Sequence, residues 1–99
     1  MNDKRPAVYI MANKMNGTIY IGVTSDLLRR VYEHKQGAGS SFSTKYGCKI
    51  LVWYYLFETM VQALQMEKLL KMKNRSYKIS LIESRNVSWN DLYPELYHQ

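Results

Sequence analysis

The sequence predicts an α+β fold on three observations. Two short β-type runs, residues 7–11 and 18–23, flank a segment containing Asn and Gly, the signature of a hairpin. A third run, residues 50–57, is β-branched and aromatic, and is the best candidate for the central strand. Between and after these runs lie segments with apolar residues at helical spacing and capping residues at their starts.

In the first run Val8 and Ile10 share a face and Tyr9 takes the opposite one. In the second, Ile19, Ile21 and Val23 alternate with Tyr20 and Gly22. Alternation thus puts both tyrosines on the side away from the isoleucines, expected to be the polar side of the strands. If the five-residue segment 13–17 closes the hairpin, Tyr9 pairs within one residue of Tyr20. A tight Asn16-Gly17 turn would instead separate them along the ladder.

Ser25 or Asp26 can cap a helix over residues 27–36, with Leu27, Leu28 and Val31 as its apolar stripe. Arg30 and His34 stand at i and i+4 on one face of it. The Gly- and Ser-rich residues 37–44 read as a mobile loop. Thr59 with Gln62 forms a capping box opening a helix to about residue 73. Met60, Ala63, Leu64, Met66 and Leu70 are expected to face the core, and Glu67 falls in the middle of that set. A carboxylate in an apolar face is costly unless it is paired, neutral or bound to a cation. Tyr77, Ile79, Leu81 and Ile82 belong to a further helix, and Trp89, Leu92 and Tyr93 to a C-terminal clasp over the core.

Ninety-nine residues make a single domain, with its core expected over about 7–93. The composition, 46% hydrophobic and 22% charged, is that of an ordinary globular chain. No apolar run is long enough to span a bilayer, and the polar residues 1–6 do not resemble a signal peptide. A cytoplasmic protein with no membrane association is therefore expected. The lone cysteine, Cys48, excludes an internal disulfide and a multi-cysteine zinc site; beside an apolar run it reads as a buried thiol. A net charge of +6 and nine tyrosines suit a nucleic-acid partner. Residues 68–78 hold five basic residues and no acid: Lys68, Lys71, Lys73, Arg75 and Lys78. With Lys45 these are the candidate nucleic-acid contacts, although such a run is as often a plain solvated face.

Tyr9, Tyr20, Arg30 and His34, from two adjoining elements, are together suited to cutting a phosphodiester. That reaction needs an activated water, neutralisation of developing charge and help for the leaving oxygen. A phenol with a pKa near 10 can deprotonate water only if a nearby cation favours the phenolate. Arg30 can hold a phosphate through its planar fork, and His34 can relay a proton. One carboxylate, Glu67, suffices for Mg²⁺, which keeps most of its waters. Taken singly, each residue has a structural reading: strand tyrosines line cores, helical arginines are solvated, and Glu67 can pair with Lys71. The joint spacing is what points to chemistry.

On these residues the chain resembles the GIY-YIG nuclease superfamily, in its small single-domain bacterial branch. The half-motifs stand as Ala7-Val8-Tyr9 and Tyr20-Ile21-Gly22. The helix follows as Leu28-Arg29-Arg30-Val31-Tyr32-Glu33-His34, and Ala63-Leu64-Gln65-Met66-Glu67 matches the helix bearing the family's metal-binding glutamate. The match runs from about residue 7 to 93. Ala7 and Val8 replace the eponymous Gly and Ile, a mild departure, because the tyrosine carries the chemistry. The resemblance implies a small three-stranded antiparallel sheet flanked by helices and an active site using one Mg²⁺ or Mn²⁺. By that analogy Tyr9 or Tyr20 orients or deprotonates water, Arg30 binds the scissile phosphate, His34 assists and Glu67 holds the metal. Asn86 is a weaker candidate for an asparagine that many members carry near the end of the domain.

The expected function is a metal-dependent endonuclease acting on DNA, on branched or damaged structures in repair or recombination. The alternative is a non-catalytic nucleic-acid-binding module, or a nuclease subunit dependent on a targeting protein partner. The missing targeting domain favours it.

Overall fold

The computed structural model describes residues 4–98; residues 1–3 of the polar N-terminus and residue 99 lie outside it. The chain runs β1 (Ala7–Ala12), β2 (Ile19–Thr24), α1 (Leu27–Lys35), α2 (Ser41–Lys45), β3 (Ile50–Leu56), α3 (Met60–Met72) and α4 (Arg75–Glu83). A 3-10 helix, Tyr93–His98, closes it. The three strands form one antiparallel sheet in the order β2-β1-β3. The α+β architecture is therefore as the sequence predicts.

The centre of the sheet is β1 and not β3. All six β1 residues are buried, because strands flank it on both edges and helices cover both faces. The apolar run 50–57 looks central for another reason: its outer edge is covered by the segment that follows α4. Asp91 accepts from the Leu51 amide, the Leu92 amide donates to the Leu51 carbonyl, and Asn86 Nδ2 donates to the Val52 carbonyl at 3.1 Å. An exposed strand edge is a template for unwanted pairing, and this segment covers that row of groups.

A bulge lies where β3 passes Ile10 and Met11: Ile10 pairs with Trp53 but Met11 with Leu51. Val52 is the extra residue, so both Val52 and Trp53 turn to the same face. Asn86 takes the carbonyl that the bulge leaves outside the ladder.

Each face of the sheet carries its own core. Val8, Ile10, Ala12, Ile21, Val52 and Trp53 pack with Ala63 and Leu70 of α3, Ile82 of α4, and Trp89. On the other face Ala7, Tyr9, Met11 and Leu51 pack with Leu27 and Val31 of α1, Cys48, and Leu96 of the 3-10 helix. The alternation of isoleucines and tyrosines is as expected. The tyrosine face, however, is a second core and not a polar surface, because α1, α2 and the C-terminal helix all lie on it. Cys48 is the buried thiol the sequence suggests.

Local rules place the helices. Asp26 caps α1, accepting from the Arg29 amide, and the Thr59–Gln62 capping box opens α3 with reciprocal bonds of 3.2 Å. Leu64 departs from expectation: it is 47% exposed, and Ala63, Met66, Glu67 and Leu70 form the inward face. Residues 37–44 are not simply a loop, since Ser40 caps the short α2 by accepting from the Ser43 amide at 3.0 Å. No helix among the described residues is long and apolar enough to cross a membrane.

Candidate active site

The hairpin loop runs from Asn13 to Thr18 and is pinned by the Asn13 side chain, which accepts from the Thr18 amide at 2.9 Å. This register pairs Tyr9 with Gly22 and Met11 with Tyr20. The two tyrosines are thus diagonal neighbours on one face, two positions apart, where a five-residue closure would bring Tyr9 within one residue of Tyr20. Their ring centroids are 6.3 Å apart, within contact range for a diagonal pair.

That diagonal explains the glycine of the Tyr20-Ile21-Gly22 tripeptide. A Cβ at Gly22 would lie 2.4 Å from both Cζ and Oη of Tyr9. The Tyr9 phenol therefore crosses β2 through the space a side chain would fill. Its ring is 1% exposed and its oxygen reaches His34 Nε2 at 2.8 Å.

His34 is brought here by the last turn of α1. It is 2% exposed, touches Tyr9 and Tyr20 with ring centroids at 5.5 and 5.2 Å, and meets Ser43 Oγ through Nδ1 at 2.8 Å. Tyr20, half-buried, continues the cluster outward to Phe42, which is 45% exposed. Arg30, one turn before His34, bonds Glu33 at 3.0 Å and lies close enough to Tyr9 for its charge to act on the phenol. Glu33 also receives Arg29 at 3.4 Å.

Electrostatics set the resting state. Burial pushes the Tyr9 phenol up to about 12, against the opposing pull of Arg30, with Tyr20 and Glu67 adding to the rise. Burial and the Arg30 charge hold His34 down at about 4. Burial opposes the Arg30 charge, but its bonds to Glu33 and Tyr9 outweigh that and raise its pKa. At neutral pH the site is a phenol against a neutral imidazole, with one fixed positive charge beside them.

Glu67 approaches from α3, close enough for its charge to weigh on Tyr9. Its side chain is 20% exposed and holds Lys71 Nζ at 3.2 Å. Among the described residues no three carboxylates, histidines or cysteines cluster as a metal cage. A single half-buried carboxylate does fit a largely hydrated Mg²⁺ or Mn²⁺, which needs only one or two protein oxygens.

The basic candidates divide. Arg75 donates to the carbonyls of Asn16 and Gly17 at 2.8 and 2.6 Å and so fastens the hairpin loop to α4. Lys45 lies over the Tyr46 ring and Lys73 over Tyr77, at 5.4 and 5.1 Å. Lys68 is exposed on α3 and Lys78 half-buried on α4. Asn86 is 6% exposed and bonds the backbone of Val52 and Asn90 through both side-chain atoms. Its polar groups are thus given to the β3 bulge and the turn after α4. The cleft of about 630 Å³ between the end of β3 and α3 is lined by Tyr55, Phe57, Gln62 and Met66, and by none of the tyrosine cluster.

Sequence reasoning missed Ser43 and Gly39. Reading 37–44 as loop hid them, although Ser40 and Ser43 at i and i+3 are themselves a capping signal. A Cβ at Gly39 would stand 2.2 Å from His34 Nδ1, so this backbone lies directly against the ring.

The family model described as the GIY-YIG catalytic domain matches residues 5–80. UPF0213 protein VPA1222 of Vibrio parahaemolyticus is 34% identical over 78% of this chain and 72% of its own length. UPF0213 protein CPE1444 of Clostridium perfringens is 29% identical over 90% of this chain and 95% of its own. UPF0213 protein SAG0778 of Streptococcus agalactiae is 30% identical over 81% and 91%. No solved structure matches the chain. With a tyrosine from each strand of its hairpin meeting the arginine and histidine of the next helix, the chain belongs to the GIY-YIG nuclease family, alongside the small bacterial UPF0213 proteins.

Proposed function

We propose that this protein is a divalent-metal-dependent endonuclease that hydrolyses DNA phosphodiesters, on branched or damaged structures in repair or recombination. The observation that carries the reading is the convergence of Tyr9, Tyr20, Arg30 and His34 in one cluster, with Glu67 within electrostatic reach. The tyrosine pair orients and deprotonates the attacking water, and His34 receives the phenolic proton from Tyr9 at Nε2. Arg30 binds the scissile phosphate and offsets its developing charge. Glu67 would hold one Mg²⁺ or Mn²⁺, which would supply the Lewis acidity that makes water easier to deprotonate. Lys45, Lys68, Lys71, Lys73 and Lys78 supply the positive field that tracks the DNA backbone.

The test is cleavage of single-stranded, duplex, flap and junction DNA with Mg²⁺ or Mn²⁺, wild type beside Glu67→Ala and Arg30→Ala. Both variants should abolish cutting. Cleavage that survives both would come from a contaminant and sink the assignment.

A second reading, a binding module serving a partner nuclease, draws on the exposed Phe42 and Tyr46 beside Lys45 and on Lys71 already neutralising Glu67. Under it Glu67→Ala would keep or improve DNA affinity, and no metal would produce cutting.

A further inference from the structure

The hydrogen-bond chain behind Tyr9 has a direction. Ser43 Oγ donates to the Ser40 carbonyl at 3.2 Å. A carbonyl only accepts, and a hydroxyl carries one hydrogen. With that hydrogen given to the Ser40 carbonyl, Ser43 meets His34 Nδ1 with a lone pair, and Nδ1 carries the ring proton. In the neutral imidazole Nε2 is then a bare acceptor, which takes the hydrogen of Tyr9 Oη.

We propose that Ser43 is a positioning residue of this site: it holds His34 as the Nδ1–H tautomer, so that a bare Nε2 faces the Tyr9 hydroxyl and can receive its proton. The use of that proton acceptor rests on the nuclease reading above; the tautomer itself does not. Ser43 is 3% exposed, which leaves water little room to replace it as the partner of Nδ1. Its backbone is fixed by the Ser40 cap of α2. A Cβ at Gly39 would lie 2.2 Å from Nδ1 and 2.9 Å from Ser43 Oγ, so residue 39 closes over the bond and keeps the ring from turning. A resting His34 that is neutral at pH 7 is the condition under which a tautomer must be chosen, and the burial of the ring provides it.

The chain has two histidines, so the ring nitrogens of ¹⁵N-histidine-labelled protein can be assigned by two-bond ¹H–¹⁵N correlation at pH 7. The His34 ring should show a protonated Nδ1 and an unprotonated Nε2. The opposite tautomer overturns the proposal. In Ser43→Ala the preference for Nδ1–H should be lost. Its kcat on the best DNA substrate should fall about 10- to 100-fold, the usual cost of removing a group that orients a histidine, with KM changed less than twofold. An unaltered tautomer, or a wild-type kcat, in folded Ser43→Ala refutes it. If that variant does not fold, the wild-type spectrum alone decides. Should the wild type cut no DNA, the nuclease reading falls while the spectra still decide whether Ser43 sets the ring.

Discussion

The two faces of this sheet are both buried, yet they are made of different material. Against α3 and α4 the contacts are almost wholly aliphatic, with Trp53 and Trp89 as bulk. Against α1 and α2 the core contains a phenol, an imidazole and a serine joined by hydrogen bonds, with an arginine at its margin. An aliphatic core is worth its area and tolerates approximate shapes. A buried polar chain is worth little net, and costs heavily if one member is left without its partner. One face is thus suited to holding the fold, and the other to keeping polar groups in a single arrangement.

The sharpest break of that contrast is a crossed pair of substitutions. Arg30→Ala removes the fixed charge of the polar face and should abolish detectable DNA cleavage, a loss of about 1,000-fold or more, as loss of a transition-state charge stabiliser does. Its melting temperature should stay close to wild type, because Arg30 is a partly exposed helix residue. Leu70→Ala, wholly buried on the aliphatic face, should behave oppositely. It should cost about 2–5 kcal/mol by urea unfolding and leave turnover intact at temperatures where the protein stays folded. Large losses of both properties in both variants would mean that the two faces are not separable.

Gly22→Ala tests the boundary between them. Gly22 lies on β2, where one methyl group would meet the Tyr9 ring at 2.4 Å. Tyr9 cannot give way without stretching its bond to His34. A stability loss of about 1–3 kcal/mol is expected from overpacking, together with loss of most cleavage activity. A Gly22→Ala protein that cuts normally would show that Tyr9 can shift without consequence.

The polar face should also announce itself in the pH dependence of stability. His34 titrates near 6.5 in the unfolded chain but at about 4 in the folded one. As pH falls, the unfolded chain therefore binds the proton first. The contribution is complete above about 6.5, declines between 6.5 and 4, and changes no further below 4. The full loss is roughly 3 kcal/mol. Urea midpoints followed from pH 7 to pH 4 should show it, and His34→Gln should remove that part of the slope. An identical slope in the variant would assign the acid sensitivity to other groups.

The two faces were not equally legible in the sequence. Period-2 alternation in residues 18–23 sorted isoleucines from tyrosines, and the capping box at Thr59 located α3, because both signals are local. The spacing of Arg30 and His34 on one helix was legible for the same reason. The centrality of β1 was not: the run 50–57 is more apolar, and nothing local reveals that residues 85–92 cover its edge. The register of the hairpin turned on the Asn13 side chain, a bond between residues five apart that no turn type specified. Asn86 is a candidate only through the family resemblance, since a buried structural asparagine and a catalytic one leave the same letter in the sequence. Its bonds to the bulge carbonyl at Val52 depend on a two-to-one pairing visible only once the sheet is formed.

The smallest effects belong to the outside of the aliphatic face, where α3 and α4 carry the basic residues. Lys68 is exposed there with no aromatic or carboxylate contact among those described for Lys45, Lys71 and Lys73. If it touches a phosphate of duplex DNA, Lys68→Ala should reduce the slope of log affinity against log salt by about 0.9 and weaken binding a few-fold at moderate salt, without changing kcat. Arg75→Ala removes the same charge but also the clamp on the hairpin loop. It should therefore lower stability by about 0.5–1.5 kcal/mol through the loss of the exposed clamp, whereas Lys68→Ala should not. Equal salt slopes for wild type and Lys68→Ala would take this helix surface out of the DNA path. The aliphatic face would then serve the fold alone, and all recognition of the substrate would fall to the side of the sheet that carries Tyr20, Phe42 and Arg30.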